Sequence, residues 1–355
     1  MDYSKFYTPP KIAQVLINSL IIPTPQRVID ICCGSCNLLF AAKKRWNNIK
    51  TYGVDISNHV TSDVHFKQAD GRTFALCHPK HFSFVVANPP FDFIKKKNQF
   101  PMLYKNIFEK FKTSRLEVEM LLANLSILKP KGTLLIILPS SFVEAISYKK
   151  IRNLIANNYY IESIVKLDEY AFGSARINSY ALIIHNEIKN NCTTQIGTLN
   201  SKELNINYHS YITQDKLVDG NWITNNINIL KDDIDMKRGT ISSSLFIKNG
   251  QPILHTAKND INWIPSKRYI SKKVIPTVFA NTGDIIVSRI GKSAGQWFIY
   301  WGKKIPISDC LFRIKDPTGS LRKKIKNKLF NFPLKGVATR YITMTDFKCW
   351  LNSLK

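Results

Sequence analysis

The sequence predicts an α/β fold: a doubly wound, mostly parallel sheet flanked by helices, followed by a smaller basic portion of α+β character. Three observations predict it. Residues 84–87, Phe-Val-Val-Ala, are apolar and β-prone, and they run into Asn88, Pro89 and Pro90. That is a buried strand stopped by prolines, which forbid further ladder. Residues 27–42 read as a short strand, a glycine-containing loop and a helix from about Asn37, the opening unit of a nucleotide-binding sheet. Carboxylates then recur at the ends of successive strand-like runs, at Asp30, Asp55 and Asp70. In open α/β sheets, ligands bind at the carboxyl ends of the strands.

The elements follow in order. In residues 5–20, Thr8 is a candidate helix N-cap with prolines in the first turn, and Ile12, Val15, Leu16 and Leu20 form one apolar face. The loop after Asp30 must let backbone approach a ligand, which suits Gly34. Asp55 lies 25 residues beyond Asp30, the reach of one helix plus turns, and a carboxylate there commonly binds ribose hydroxyls. Asp70-Gly71 offers a third strand end. Residues 115–128 and 148–157 read as helices, and 133–138, 161–167 and 180–184 as strands. In residues 186–235, Asn190, Asn191, Asn205, Asn207, Asn225 and Asn226 break the hydrophobic pattern. The expected organisation is therefore a catalytic domain at 1–190, a connecting region with a few short strands at 191–235, and a basic domain at 236–355.

Charge sets the class of partner. The chain of 355 residues carries 51 Lys and Arg against 25 Asp and Glu, a formal charge of +26, which favours a polyanion. Residues 231–355 hold 24 Lys and Arg against 8 Asp and no Glu, so the last third is the more basic per residue. The N-terminus shows no apolar leader and no apolar run approaches a membrane span. Seven cysteines without a framework suit a reducing cytosol, so a cytoplasmic protein is expected. Cys33 and Cys36 have ligand spacing but no second Cys/His pair at a usual interval, so no metal is expected.

The chemistry concentrates at Asn88. The exocyclic amine of a nucleobase is a poor nucleophile because its lone pair is delocalised into the ring. The Asn88 Oδ1 and the Pro89 carbonyl can each accept one of its N–H groups, which draws electron density onto nitrogen. Phe91 can stack on a base that has left its duplex.

Asn88-Pro89-Pro90-Phe91 is the motif of amino-directed methyltransferases. With the ordered acids before it, the chain resembles the adenine-N6 DNA methyltransferases of restriction-modification systems, in the gamma-class order that puts cofactor motifs first and target recognition last. The resemblance implies a Rossmann-like domain and S-adenosyl-L-methionine as cofactor. It implies catalytic roles for Asn88, Pro89, Pro90 and Phe91. It implies cofactor contacts from Tyr7, Thr8, Asp30, Cys32, Gly34, Asp55, Ile56, Asp70, Gly71 and Asn88, with Phe6 to Pro10 closing over the methionine end. Phe172 would clamp the flipped base opposite Phe91, or else be a core phenylalanine. The family pattern resembles Asp-x-x-x-Gly-x-Gly, and Cys36 stands at its second glycine, where it is expected to narrow the cofactor pocket or weaken cofactor affinity.

The stretches Gly283 to Gly291 and Lys335 to Phe347 resemble the target recognition domain of type I restriction specificity subunits, with Thr345-Asp346 placed to cap a terminal helix. This implies double-stranded DNA as substrate, in either a restriction-modification system, where a cognate restriction endonuclease or another restriction-system subunit would be a separate chain, or an orphan modification system with none. Ser288, Arg289, Lys292 and Arg340 are the candidate DNA contacts there. Lys95, Lys96 and Lys97 beside the base pocket are DNA contacts or a solvated loop. RNA or a protein glutamine as methyl acceptor, and a DNA-binding module with an inactive cofactor loop, stand as the other readings.

Overall fold

The computed structural model describes residues 7–58, 63–94, 113–173, 177–189, 191–220, 222, 234–255, 268–325, 334 and 340–353. The chain divides into two compact units, Met1–Thr224 and Asn225–Lys355.

In the first unit, helix α1 (Pro10–Asn18) precedes β1 (Arg27–Asp30), α2 (Asn37–Arg45), β2 (Lys50–Asp55), β3 (His65–Gln68), α3 (Gly71–Cys77) and β4 (Phe82–Ala87). Then come α4 (Leu116–Ile127), β5 (Leu128–Pro139), α5 (Ser140–Glu144), α6 (Lys149–Asn158), β6 (Tyr160–Leu167), β7 (Ser179–His185), β8 (Thr193–Asn200), β9 (Asn205–Thr213) and α7 (Gln214–Val218). The strands form one sheet in the order β3-β2-β1-β4-β5-β7-β6-β8-β9. Strands β1 to β5 pair in parallel, while β7 runs antiparallel to both β5 and β6. The chain winds outward from β1 through β2 to β3, then returns to β4 on the other side of β1. The point where strand order reverses therefore lies between β1 and β4.

Both faces of the sheet are covered, which explains the unbroken apolar runs of β4 and β5. Val85 and Ala87, with Leu134, Ile136 and Leu138, face one core together with Val118, Leu121, Leu125, Ile151 and Ile155 of α4 and α6. Phe84, Val86, Leu135 and Ile137 face the other, against Ile12, Leu16, Leu38 and Leu39 of α1 and α2. Alternate residues thus serve opposite cores. Helix α4 is apolar nearly all round because almost every position in it is buried.

Two expectations change. Residues 193–213, expected within a connecting region, form β8 and β9, and β8 pairs in parallel with β6. Their asparagines lie mostly at strand ends and on the exposed side of β9, where no apolar alternation is needed. Thr8 does not cap α1: Pro9 holds the N-cap position with Pro10 as first helical residue, and no side chain caps the helix.

The second unit holds a four-stranded sheet in the order β10-β18-β15-β16, from β10 (Met236–Arg238), β15 (Ile285–Ser288), β16 (Trp297–Ile299) and β18 (Leu311–Ile314). Between them lie short strands β11 (Phe246–Ile247), β12 (Gln251–Pro252), β13 (Tyr269–Ile270), β14 (Phe279–Ala280) and β17 (Ile305–Pro306), with β14 paired to β17. Helices α8 (Ser320–Ile325) and α9 (Met344–Ser353) follow. One face of the four-stranded sheet (Met236, Ile285, Val287, Phe312) packs on Phe347 and Leu351 of α9. The other carries Ile286 against Val278, Ala280 and Ile305.

Candidate active site

The cleft sits at the carboxyl ends of β1 and β4, where the strand order reverses. Direct pairing of Val28 with Phe84 and of Ile29 with Val85 sets the two strand ends side by side. The cleft is lined by Tyr7 and Thr8 ahead of α1, Asp30, Cys32 and Ser35 after β1, and Asn88 after β4. Segments far apart in sequence and singled out separately are therefore brought to one place.

The loop after β1 is tightly held. The Cys32 N–H donates to Asp30 Oδ1 at 2.9 Å, and the Gly34 N–H donates to Asp55 Oδ2 at 2.9 Å. Asp55 Oδ1 also accepts the Ser57 N–H at 2.9 Å, so this carboxylate ties the first loop to the end of β2. Ile56 beside it is 72% exposed, an apolar side chain presented at the strand end. Gly34 has φ +49°, and a Cβ built there would lie 2.3 Å from the Tyr7 ring. Gly71, the first residue of α3, passes so close to β1 that a Cβ would lie 1.9 Å from the Ile31 carbonyl oxygen. Gly71 is required by close backbone approach, and Gly34 is favoured by its left-handed φ.

Burial pushes the Asp30 carboxyl up to about 7, against hydrogen bonds from Cys32 that lower it. Burial, with Asp30 alongside, also pushes the Cys32 thiol well up. That thiol meets a backbone group of Asn88, so the β1 loop and the end of β4 are joined directly. Asn88 is half-buried, Pro89 is buried, and Phe91 is half-buried against the second core.

Asp70 caps α3 by accepting the Arg72 N–H at 2.9 Å. The Arg72 guanidinium bridges Asp70 at 2.6 Å and Glu119 of α4 at 2.8 Å. Burial alone would raise the Asp70 carboxyl, but Arg72 holds it below its usual value.

Cys36 has φ 60° and ψ 17°, the left-handed conformation that glycine adopts without strain. Its side chain is fully buried in the second core and does not line the cleft. The expected narrowing of the pocket is thus not what the fold does: the thiol leaves on the far side of the loop. Phe172 is 8% exposed and belongs to the same core, so of its two readings the structure favours the core phenylalanine over the base clamp. Lys95, Lys96 and Lys97 lie outside the described residues.

In the second unit, Ser288 is 1% exposed at the end of β15, which corrects its expected role as a DNA contact. Its carbonyl accepts the Gly295 N–H and its own N–H donates to Gln296. Arg289, Lys292 and Arg340 do converge: the Gly291 N–H donates to the Arg340 carbonyl at 2.9 Å, and the Ile342 N–H to the Arg289 carbonyl at 2.8 Å. Arg340 and Lys292 are exposed. Arg289 Nε and Arg238 Nε donate to one acceptor, the Asp309 carbonyl, at 3.0 and 3.1 Å.

Sequence reasoning missed Asn37, whose Nδ2 donates to the Thr8 carbonyl at 2.9 Å and so fixes the Tyr7-Thr8 segment over the loop. It also missed Arg72 and Arg238. The spacing Asp70-x-Arg72 at a helix start carried the signal for the first; nothing local marked the others.

The sheet order, with β7 antiparallel between β5 and β6 and a cleft at the β1/β4 reversal, is that of a class I S-adenosylmethionine-dependent methyltransferase. Residues 2–224 match the model of the N-6 DNA Methylase family, and the chain belongs to that family. A search of curated proteins found no match. Among solved structures, the chain is similar to the type I restriction-modification methyltransferase subunit from Streptococcus thermophilus, at 18% identity over 61% of this chain and 52% of that one, with a TM-score of 0.47. It is similar to the type IIG restriction endonuclease BpuSI at 14% identity over 89% of this chain and 53% of that one, with a TM-score of 0.47. For the M protein of the type I restriction enzyme EcoKI the values are 14%, 55%, 48% and 0.43. The chain spans about half the length of each of these three.

S-adenosylmethionine is the cofactor of this class, and the residues fit it. Thr8 is 4% exposed, lines the cleft, and its Oγ1 has no hydrogen-bond partner among the described residues. A buried hydroxyl in that state calls for a polar ligand group. Asp30 and Asn88 line the same cleft, while Asp55 and Asp70 stand at neighbouring strand ends outside its lining, Asp55 holding the Gly34 N–H and Asp70 paired with Arg72.

Proposed function

We propose that the chain is a site-specific DNA methyltransferase that modifies the N6 amino group of an adenine flipped out of double-stranded DNA. The observation that carries this reading is Asn88, at the proline-terminated end of β4, lining the cleft with Asp30 and Thr8. Bound there, S-adenosylmethionine supplies an electrophilic methyl group on a sulfonium. Thr8, Asp30 and Asp55 would hold it, with Ile56 against its adenine.

The chain's own work is to prepare the acceptor. Asn88 Oδ1 and the Pro89 carbonyl accept the two N–H groups of the adenine amine, which localises its lone pair and turns it toward the methyl group. Pro90 stiffens the turn, and Phe91 stacks on the extruded base. Extrusion costs a few kcal/mol of pairing and stacking, which the Phe91 contact and the basic second unit offset. Proximity and orientation supply most of the rate gain. Arg289, Lys292, Arg340 and Arg238 are assigned to the DNA backbone, and Lys95, Lys96 and Lys97 to phosphates near the extruded base. A restriction endonuclease or other restriction-system subunit on a separate chain would supply cleavage.

The test is long-read sequencing of genomic DNA from a methylation-free host expressing this protein or its Asn88→Ala variant. One modified-adenine motif, present only with the unaltered chain, is the expected result. No modified base, from protein shown to be folded, would overturn the reading.

A further inference from the structure

Away from the loops that carry Arg289 and Arg340, a second cavity opens in the C-terminal unit. It lies between the β10/β18 edge of the four-stranded sheet and the β14/β17 pair. Its walls include Lys237, Lys304, Arg313 and Lys315, with Thr277 and Asn281 as neutral polar groups. None of these residues was singled out by the sequence, because the four cations come from three different strands and their flanks.

Register explains how they meet. Lys237 pairs with Arg313 across the β10/β18 ladder, so both side chains leave on one face. Lys315 follows two residues after Arg313 on the same side, and Lys304 arrives beside β17, its ammonium 4.6 Å from the Phe279 ring.

The charge there is not balanced. Asp235 pairs with Arg313 at 2.9 Å and with Lys315 at 3.2 Å. It is the partner of two of the four cations, and no carboxylate lines the cavity itself. The Arg313 side chain is 5% exposed, yet its Nε has no hydrogen-bond partner among the described residues. Asp235 takes one end of this buried guanidinium and leaves its Nε donor unused among three lysines, which favours a further anion there. The planar donor fork of arginine suits a phosphate's oxygens.

We propose that this cavity is a phosphate-group site, with Arg313 as its buried donor and Lys237, Lys304 and Lys315 as its rim. The group comes either from the backbone of bound DNA, which rests on the DNA reading above, or from a free phosphate-bearing molecule, which does not.

The test compares the full chain with Lys237→Gln/Lys304→Gln, which leaves the Arg313–Asp235 pair in place. The charge-matched control is Lys248→Gln/Lys272→Gln, at exposed positions outside the cavity. Binding of a fluorescent duplex is followed by anisotropy across salt concentrations. Inorganic phosphate is titrated by thermal shift at constant ionic strength. For a backbone phosphate, the cavity variant lowers the slope of log K against log salt by about 0.9 per contact, uniformly across duplex sequences, and the control does not. For a free phosphate, inorganic phosphate raises the Tm of the unaltered chain and of the control but not of the cavity variant. Arg313→Lys, which keeps the charge and loses the fork, weakens whichever effect is seen. If neither effect distinguishes the cavity variant from the control, the site is overturned. Methylation is read separately, as modified adenine, so failure of one proposal is distinguishable from failure of the other.

Discussion

The Asp55 carboxylate accepts the backbone N–H of Gly34 at 2.9 Å, across 21 residues of sequence. One oxygen of a residue assigned to the cofactor ribose is thus also the fastener of the loop under the cofactor. Asp55→Ala removes both roles. We expect cofactor affinity to fall at least tenfold by calorimetry, with a stability loss of about 1–3 kcal/mol for the Gly34 N–H left unsatisfied. Unchanged affinity would separate the loop from cofactor binding.

Asp30 gives a pH dependence. Its carboxyl is raised by burial to about 7, above its unfolded value, so the native state holds a proton that the unfolded chain releases between about pH 4 and 7. The cost of keeping Asp30 ionised is absent below that window and full above it. Asp30→Asn is therefore expected to raise the Tm relative to the unaltered chain at pH 8 and to leave it nearly unchanged at pH 4. Cofactor affinity of the unaltered chain should weaken below pH 7 as the carboxylate is neutralised. A Tm difference that does not grow with pH would count against this assignment.

Phe91 is half-buried against the core that holds Phe172. Phe91→Ala should cost about 1–3 kcal/mol of base stacking, seen as weaker binding of a duplex with a mismatched target base. Phe91→Tyr keeps a ring and should preserve that binding. Equal loss in both variants would make Phe91 a packing residue only.

Cys36→Gly tests whether the missing glycine matters. Glycine relieves about 1–2 kcal/mol of left-handed strain and forfeits a comparable amount of thiol burial. The net stability change should be within about 1 kcal/mol, and cofactor affinity should stay within about twofold because the thiol faces the core. A tenfold gain in affinity would show that Cys36 does constrict the cleft.

Much of the catalytic unit is legible in the sequence because its signals are local. The Phe84–Ala87 run ends at prolines, Asp30 and Asp55 close short apolar strands, and Gly71 follows Asp70 at a helix start. Each of these can be read within ten residues. What stayed hidden depends on partners far along the chain. The strands at 193–213 are polar on one side, and only pairing of Ser163 with Gln195 and its neighbours makes them part of the sheet. Ser288 looked available, and Phe172 could not be decided, because nothing local records burial. Thr8 looked like a cap until the two prolines after it took that place. Arg313 became visible as a site residue only through its strand partner Lys237.

The β8 and β9 strands lie at the rim, while the β1–β4 contact that sets Asp30 beside Asn88 is in the interior of the sheet. Four strands separate that contact from β9, roughly 24 Å at ~4.8 Å per step from β4. An insertion in the Ser201–Leu204 turn, at the rim, is therefore expected to be tolerated where one between β4 and Phe91 is not.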